Sequence, residues 1–164
     1  MASSSAPYDS PEQVLEKIAE HAHTHPYQNP LLGSGFLAPA FGVKGPTAAQ
    51  LDAIVSDRPA LIIDEGGHTG WANTLALEAA GISRDTPDPV PGAHFFQRDE
   101  EGNPTGWLVE GAAIDPVTEA LGVISAESLA LAAPDFFKEM SAVGLTAAFD
   151  AGMIETGELG RRLA

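Results

Sequence analysis

Short, continuous apolar runs alternate along the chain with segments in which apolar residues recur at helical spacing. The clearest run is Ala60–Ile63, which contains two β-branched isoleucines and predicts a buried strand. Leu145–Asp150 is a second run of this kind, and it too ends in a carboxylate followed by glycine. Leu31–Leu37 carries two glycines and predicts a short strand with a close backbone approach. Buried strands separated by helical segments predict the α/β class.

Capping residues and helical periodicity predict two helices in the first third of the chain. Ser10, followed by Pro11, is a good N-cap for a helix that runs to about His21. Thr47 is expected to cap a short helix over Ala48–Ile54. These helices lie before and after the predicted strand Leu31–Leu37.

Helices are also predicted towards the end of the chain. One helix is expected from Asp115 to about Leu121, and another begins near Ser125. Pro134 should break or restart the second helix, and Gly144 should end it.

A β-hairpin is predicted in the middle of the chain. His94–Arg98 and Gly106–Glu110 flank the polar, glycine-containing segment Asp99–Pro104. The preceding segment, Arg84–Gly92, is rich in proline and aspartate and predicts a loop.

The turn after the Ala60–Ile63 strand is the first place to look for chemistry. Asp64–Gly67 is an acidic, glycine-rich turn, and an Ala/Leu-rich helical segment beyond it ends at Gly81. Strand, turn and helix form half of a βαβ unit, and α/β proteins place functional residues at such turns. His68 is therefore the first candidate, as a catalytic or substrate-binding residue, with capping or filling of the turn as its alternative role. Trp71 and Asn73 are candidate substrate-binding residues, with core packing and local hydrogen bonding as their alternatives.

Composition limits the classes of partner. The chain has 164 residues, of which 44% are hydrophobic and 19% charged, so a single globular domain is expected. Its formal charge of −15 disfavours nucleic acid and anionic membranes. There is no cysteine, so any metal needs His, Asp or Glu ligands. No apolar run reaches the roughly 18 residues of a membrane helix, and a cytoplasmic protein is expected.

Three histidines at alternate positions, His21, His23 and His25, form a pattern that metal sites use. They follow a helix and precede Pro26, with no strand to orient them. A solvated helix end, where imidazole suits the helix dipole, is the interpretation that we favour over a metal site.

Three sequence blocks, in this order and spacing, resemble the YtcJ-like metal-dependent amidohydrolases, the branch that includes N-substituted formamide deformylase. The blocks are Gly67–Ile82, Gln97–Glu110 and Gly144–Gly152. The resemblance implies a distorted (β/α)₈ barrel that hydrolyses amide or formamide-like C–N bonds with metal-activated water. Since such barrels need about 250 residues, the chain is expected to be a partial barrel segment with an inserted hairpin. We expect an N-terminal helix and linker over residues 1–29 and a single barrel segment over residues 30–164.

The resemblance also implies site residues. Glu110 is a candidate metal ligand, and its alternative role is a solvent-facing glutamate at the end of a strand. Asp150 is a candidate catalytic residue whose alternative role is a helix N-cap. Val109 stands where many relatives have lysine, so a carbamylated lysine is not carried over. The family's first-strand His-x-His has no match in the matched region. A divalent metal, with zinc expected, therefore belongs to the complete enzyme, and the isolated chain is expected to lack a competent metal site and to be inactive.

Two further expectations concern the site and the surface. If the strands are parallel, His68, Glu110 and Asp150 should converge at the carboxyl edge of the sheet. The alternative function is a non-catalytic α/β module that binds a partner or itself through uncovered apolar surface, as a homo-oligomer. The residues expected near that surface are Leu61, Ile63, Leu145 and Phe149.

Overall fold

The structure, a computed structural model, describes residues 9–123 and 125–147. The chain divides into two compact units, Met1–Leu121 and Gly122–Ala164. The predicted division at residues 29 and 30 stays a prediction. In the described part of the chain, no helix is long and apolar enough to cross a membrane.

One mixed five-stranded sheet organises the first unit, which confirms the α/β class. Its spatial order is β1-β2-β3-β5-β4. β1 and β2 are parallel, and the other neighbouring pairs are antiparallel. The strands are β1 Leu31–Phe36, β2 Ala60–Asp64, β3 Thr69–Ala72, β4 Phe95–Arg98 and β5 Pro104–Val109.

Within residues 9–123, four α-helices and one 3₁₀ helix, Ala38–Phe41, accompany this sheet. The α-helices are α1 Pro11–Thr24, α2 Ala48–Asp52, α3 Thr74–Ala79 and α4 Gly111–Ala120. Ser10 and Thr47 cap α1 and α2 in capping boxes with Gln13 and Gln50, as their sequence positions predict. The predicted hairpin is confirmed as β4 and β5.

The strand-to-helix unit predicted around His68 is wrong, because β3 intervenes. Gly67 has a φ of 73°, and the chain reverses there into an antiparallel hairpin. The Asp64 carboxylate stabilises the reversal by accepting a hydrogen bond from the Thr69 amide at 2.9 Å. A four-residue strand that contains glycine is too short to give a clear periodicity, and the helix begins only at Thr74.

Both faces of the sheet are covered, which is why β2 is continuously apolar. Ala60 and Ile62 pack in one cluster with Val14 and Ile18 of α1. Leu61 packs in a second cluster with residues of α3 and α4 and is 1% exposed. The expectation that Leu61 lies near uncovered surface is therefore wrong.

The second unit contains α5, Ala126–Ala142, which continues through Pro134 rather than breaking there. Gly144 has a φ of 86° and follows the helix, as predicted. Residues 145–147 form no strand, and Leu145 is 48% exposed, so this part of the predicted buried strand is wrong. Phe149 and Asp150 lie outside the described residues.

Candidate functional site

His68 and Glu110, 42 positions apart, meet at one end of the sheet. β3 pairs with β5 so that Thr69 lies opposite Val109, and the next residues outward are His68 and Glu110. The Glu110 amide donates to the His68 carbonyl at 2.7 Å. Their side chains also contact each other, with 3.0 Å between His68 Nδ1 and Glu110 Oε2. This pair is the candidate site.

The expected convergence of these two residues is present, but its cause differs from the prediction. Parallel strands were expected to bring their carboxyl ends together. In the structure, the antiparallel pairing of β3 and β5 places the start of one strand beside the end of the other. Asp150, the third residue of the expected cluster, lies outside the described residues.

Glu110 has an unusual backbone conformation, with φ 67° and ψ 161°. Among the described residues it is the non-glycine residue with positive φ. This region is almost restricted to glycine and costs a side-chain-bearing residue about 1–3 kcal/mol. Glu110 is also the N-cap of α4, yet its side chain makes no capping hydrogen bond. The carboxylate is directed to His68 instead.

The pair is accessible from solvent. The His68 side chain is 72% exposed and that of Glu110 is 40% exposed. A carboxylate next to Nδ1 favours the imidazole tautomer that carries its proton there. The arrangement is therefore suited to orienting an imidazole towards a ligand or to moving a proton.

Trp71 and Asn73 lie in the core rather than at the exposed pair. The Trp71 indole is fully buried, makes edge contacts with Phe36 and Phe41, and donates from Nε1 to the Thr47 carbonyl at 2.7 Å. Asn73 is fully buried and its amide bonds only to backbone groups in the hydrogen bonds that the structure gives it. These contacts correspond to the alternative roles of the two residues, core packing for Trp71 and local hydrogen bonding for Asn73. Their role in substrate binding stays a prediction.

The histidines near residue 23 end α1. His21 and His23 lie in its last turn, and His25 is its C-cap. The rings of His21 and His25 stack with 4.1 Å between centroids, and His21 Nε2 lies 2.8 Å from Gln28 Oε1. Throughout the described residues, no three His, Asp or Glu side chains are grouped as metal ligands. The position of these rings in the last turn and at the C-cap of α1 fits the helix-end interpretation.

His94 is a residue near the site to which the sequence reasoning gave no role. It lies just before β4, whose first residue, Phe95, pairs with Val109. Its Nδ1 accepts a hydrogen bond from the Ala112 amide at 3.2 Å. The sequence signal was its place at the start of a predicted hairpin strand, beside the strand that ends at Glu110.

A cavity of about 340 Å³ lies away from this pair, between α1 and β1. Apolar side chains such as Val14, Ile18 and Phe36 line it, together with Lys17 and His21. It therefore does not include the candidate site.

Comparison with known proteins identifies the family of the chain. Residues 1–159 match the amidohydrolase family. The chain belongs to the amidohydrolase family, and the predicted resemblance is confirmed.

The curated relatives extend this similarity. The chain is 38% identical over 143 residues to the exoenzymes regulatory protein AepA of Pectobacterium carotovorum subsp. carotovorum, covering 85% of this chain and 30% of that protein. It is 36% identical to the N-substituted formamide deformylase of Arthrobacter pascens, covering 67% of this chain and 20% of that enzyme. It is 34% identical to the putative amidohydrolase YtcJ of Bacillus subtilis (strain 168), covering 67% of this chain and 22% of that protein. The chain thus spans less than a third of the length of these relatives.

A solved structure shares the fold. An uncharacterized metal-dependent hydrolase from Pyrococcus horikoshii superimposes with a TM-score of 0.52 at 19% identity, over 84% of this chain and 24% of that one. A second, from Pyrococcus furiosus, gives a TM-score of 0.50 at 17% identity, over 81% of this chain and 25% of that one.

Proposed function

We propose that this chain forms part of a hydrolase that cleaves amide or formamide-like C–N bonds of a small-molecule substrate with metal-activated water. The observation that carries the proposal is the 3.0 Å contact between His68 Nδ1 and Glu110 Oε2. It joins two family-motif residues that are distant in sequence, at an exposed end of the sheet where a small molecule has access. The similarity to a protein named N-substituted formamide deformylase supports the bond type.

In this proposal, His68 binds substrate or transfers a proton, and Glu110 orients the imidazole. A carboxylate hydrogen bond fixes both the ring and its tautomer, as carboxylates do for many functional histidines. The strain at Glu110 supports a functional role, because unfavourable backbone conformations cluster at functional sites. Asp150 remains a proposed catalytic residue on its motif alone.

We also propose that the parallel pair β1 and β2, with α2 between them, is a segment of a (β/α)₈ barrel. A parallel strand-helix-strand unit is the repeat from which such barrels are built. The antiparallel strands β3 to β5 then form an inserted hairpin layer.

The described residues do not by themselves fit a complete metal centre. They contain no group of three His, Asp or Glu side chains placed to bind one ion. We therefore propose the divalent metal, with zinc as the expected ion, for the complete enzyme only, with Glu110 as one oxygen ligand.

Hydrolysis assays test this proposal with N-substituted formamides and amino-acid amides in added Zn²⁺. We expect no turnover above buffer from the 164-residue chain, and chelator-sensitive turnover from the longest reading frame that contains it. In that longer protein, His68→Ala should lower kcat/KM by about 10²–10⁴-fold, the usual contribution of a proton-transferring group. His23→Ala, which removes an exposed histidine of α1, should have no effect.

Two results would contradict these expectations. Chelator-sensitive turnover by the 164-residue chain would show that it holds a complete site. Unchanged turnover in the folded His68→Ala protein would remove His68 from the reaction.

A second candidate function is a non-catalytic module that associates with itself or a partner. The observation that favours it is the exposure of large apolar side chains on α5: Leu131 is 74%, Phe136 55% and Phe137 61% exposed. Large exposed apolar areas typically mark interaction surfaces. Sedimentation of the chain over a range of concentrations tests this candidate, because self-association raises the mass with concentration.

A further inference from the structure

We propose that His94 is a positioning residue, which caps α4 in place of Glu110 and so leaves the Glu110 carboxylate for His68. The inference rests on the proposed function of the His68–Glu110 pair. It assigns a role to a histidine that contacts neither member of that pair through the hydrogen bonds described above.

The start of α4 lacks a cap from its own N-cap side chain. The first amides of a helix have no acceptor within the helix, and the N-cap side chain normally accepts from the second or third residue. Glu110 is the N-cap of α4 and makes no such bond. The amide of Ala112, the second helical residue, donates instead to His94 Nδ1 at 3.2 Å. His94 therefore takes the acceptor role that the N-cap leaves open.

Backbone hydrogen bonds and strand pairing hold the backbone of His94. Its amide donates to the Val90 carbonyl at 2.8 Å, and its carbonyl accepts from the Val90 amide at 3.0 Å. The next residue, Phe95, pairs with Val109 of β5. This pairing on both sides fixes the backbone of His94, and its half-buried ring contacts the first turn of α4 through the Ala112 amide.

The Ala112 amide and His68 are alternative partners for the Glu110 side chain. An N-cap carboxylate is favoured at a helix start, both by the open amides and by the helix dipole. If the Ala112 amide lost His94, the Glu110 carboxylate would be the acceptor nearest in sequence for it. A carboxylate turned towards α4 leaves His68. Because His94, just before β4, accepts the hydrogen bond of the Ala112 amide, it removes this competition.

The geometry also specifies the protonation of both rings. Because the Ala112 amide donates to it, Nδ1 of neutral His94 carries no proton, and the proton is on Nε2. Because Glu110 is an acceptor when ionised, His68 carries a proton on Nδ1. The two histidines are therefore expected to adopt opposite tautomers.

Nitrogen-15 NMR of the histidine rings at neutral pH tests the inference without an activity assay. Two-bond correlation spectra distinguish Nδ1 protonation from Nε2 protonation in the 164-residue chain and its variants. We expect His68 to lose its Nδ1-protonated signal in His94→Ala, as it should in the reference variant Glu110→Ala, whose side chain has no acceptor oxygen. His94→Asn keeps an acceptor oxygen and should preserve the signal.

Three outcomes overturn the inference. The first is a folded His94→Ala chain in which His68 keeps its Nδ1-protonated signal. The second is a His94→Asn chain that loses the signal while still folded. The third needs no variant and covers the case in which His94→Ala fails to fold: it is a His94 ring protonated at Nδ1 in the unaltered chain. Since no hydrolysis is measured, a failure here leaves the proposed activity standing, and a failed hydrolysis assay leaves this inference standing.

Discussion

Asn73 connects three segments of the first unit through one buried amide. Its Oδ1 accepts from the amides of Ala60 and Ala76, both at 2.9 Å. Its Nδ2 donates to the carbonyls of Val55 and Arg58, also at 2.9 Å. One side chain thus caps α3 and anchors both the start of β2 and the turn before it.

We expect Asn73→Ala to lower the free energy of unfolding by about 2–4 kcal/mol. The change removes a helix cap and leaves buried backbone groups without partners, each of which is costly. Urea denaturation measures the effect. The control is Asn103→Ala, an exposed asparagine in the hairpin loop, which should change stability by less than about 1 kcal/mol. Equal effects of the two substitutions would show that the buried amide is not the anchor.

Asp99 gives a prediction of pH dependence. The backbone amide of Asn103 donates to its carboxylate at 2.7 Å and is the largest cause that holds the pKa of Asp99 below the ordinary aspartate value. The carboxylate therefore stabilises the hairpin loop at pH above the unfolded-state pKa, and this contribution is lost as the pH falls through the lower folded-state pKa. Carbon-13 NMR of the carboxyl group should give a titration midpoint below that of an unstructured aspartate. A midpoint at or above that value would contradict the hydrogen bond.

At the scale of the element, β5 depends on a glycine that permits close packing. Gly106 has a φ of 100°, and a Cβ there would lie 2.5 Å from the Ala72 carbonyl oxygen and 2.6 Å from the Ala48 amide nitrogen. β5 therefore approaches β3 and α2 more closely than any other residue type allows. The strand that ends at Glu110 takes its position from this contact.

We expect Gly106→Ala to destabilise the chain more than Gly81→Ala does. Gly81 also has positive φ, at 67°, but a Cβ there meets nothing within 4 Å, so only backbone strain of about 1–2 kcal/mol is added. Gly106→Ala adds the backbone clash to that strain. Thermal unfolding of both variants separates the cost of the backbone clash from the cost of the positive φ. Similar melting temperatures would argue against the close approach of β5.

At the scale of the whole molecule, apolar exposure concentrates on the second unit. Leu131, Phe136 and Phe137 of α5 are exposed, and Val143, just beyond the helix, is 76% exposed. The spacing of Leu131, Phe136 and Phe137 places these side chains on more than one side of α5, so a single groove does not cover all three. By contrast, Leu61 is buried and Ile63 half-buried in the first unit.

We expect the chain to self-associate through α5. Sedimentation should show a mass that rises with concentration, because association removes this apolar area from water. The double variant Phe136→Ser, Phe137→Ser should reduce the association. Val43→Ser, which removes a 97% exposed apolar side chain from the first unit, is the control. A monomer at all concentrations would contradict this prediction and the second candidate function with it.

The sequence by itself determined the features that depend on neighbouring residues. The capping boxes of α1 and α2, the strands β1 and β2, the β4–β5 hairpin and the glycine stops all follow from local chemistry. These are signals that a few adjacent residues carry together. The family followed as well, since its motifs are short contiguous blocks. The wrong predictions have the same cause. β3 was missed because its four residues are too few to give a periodicity. The break at Pro134 and the buried strand from Leu145 were wrong because the local sequence does not reveal the surroundings of either residue.

Only the tertiary structure decided how the site is assembled. His68 and Glu110 are brought together by the register of β3 against β5, and a shift of one strand by one residue would turn its side chains to the opposite face. The capping of α4 by His94 likewise depends on a third strand that pairs with β5. No local pattern encodes which residue of one strand lies opposite which residue of another, because packing of the whole sheet selects that pairing.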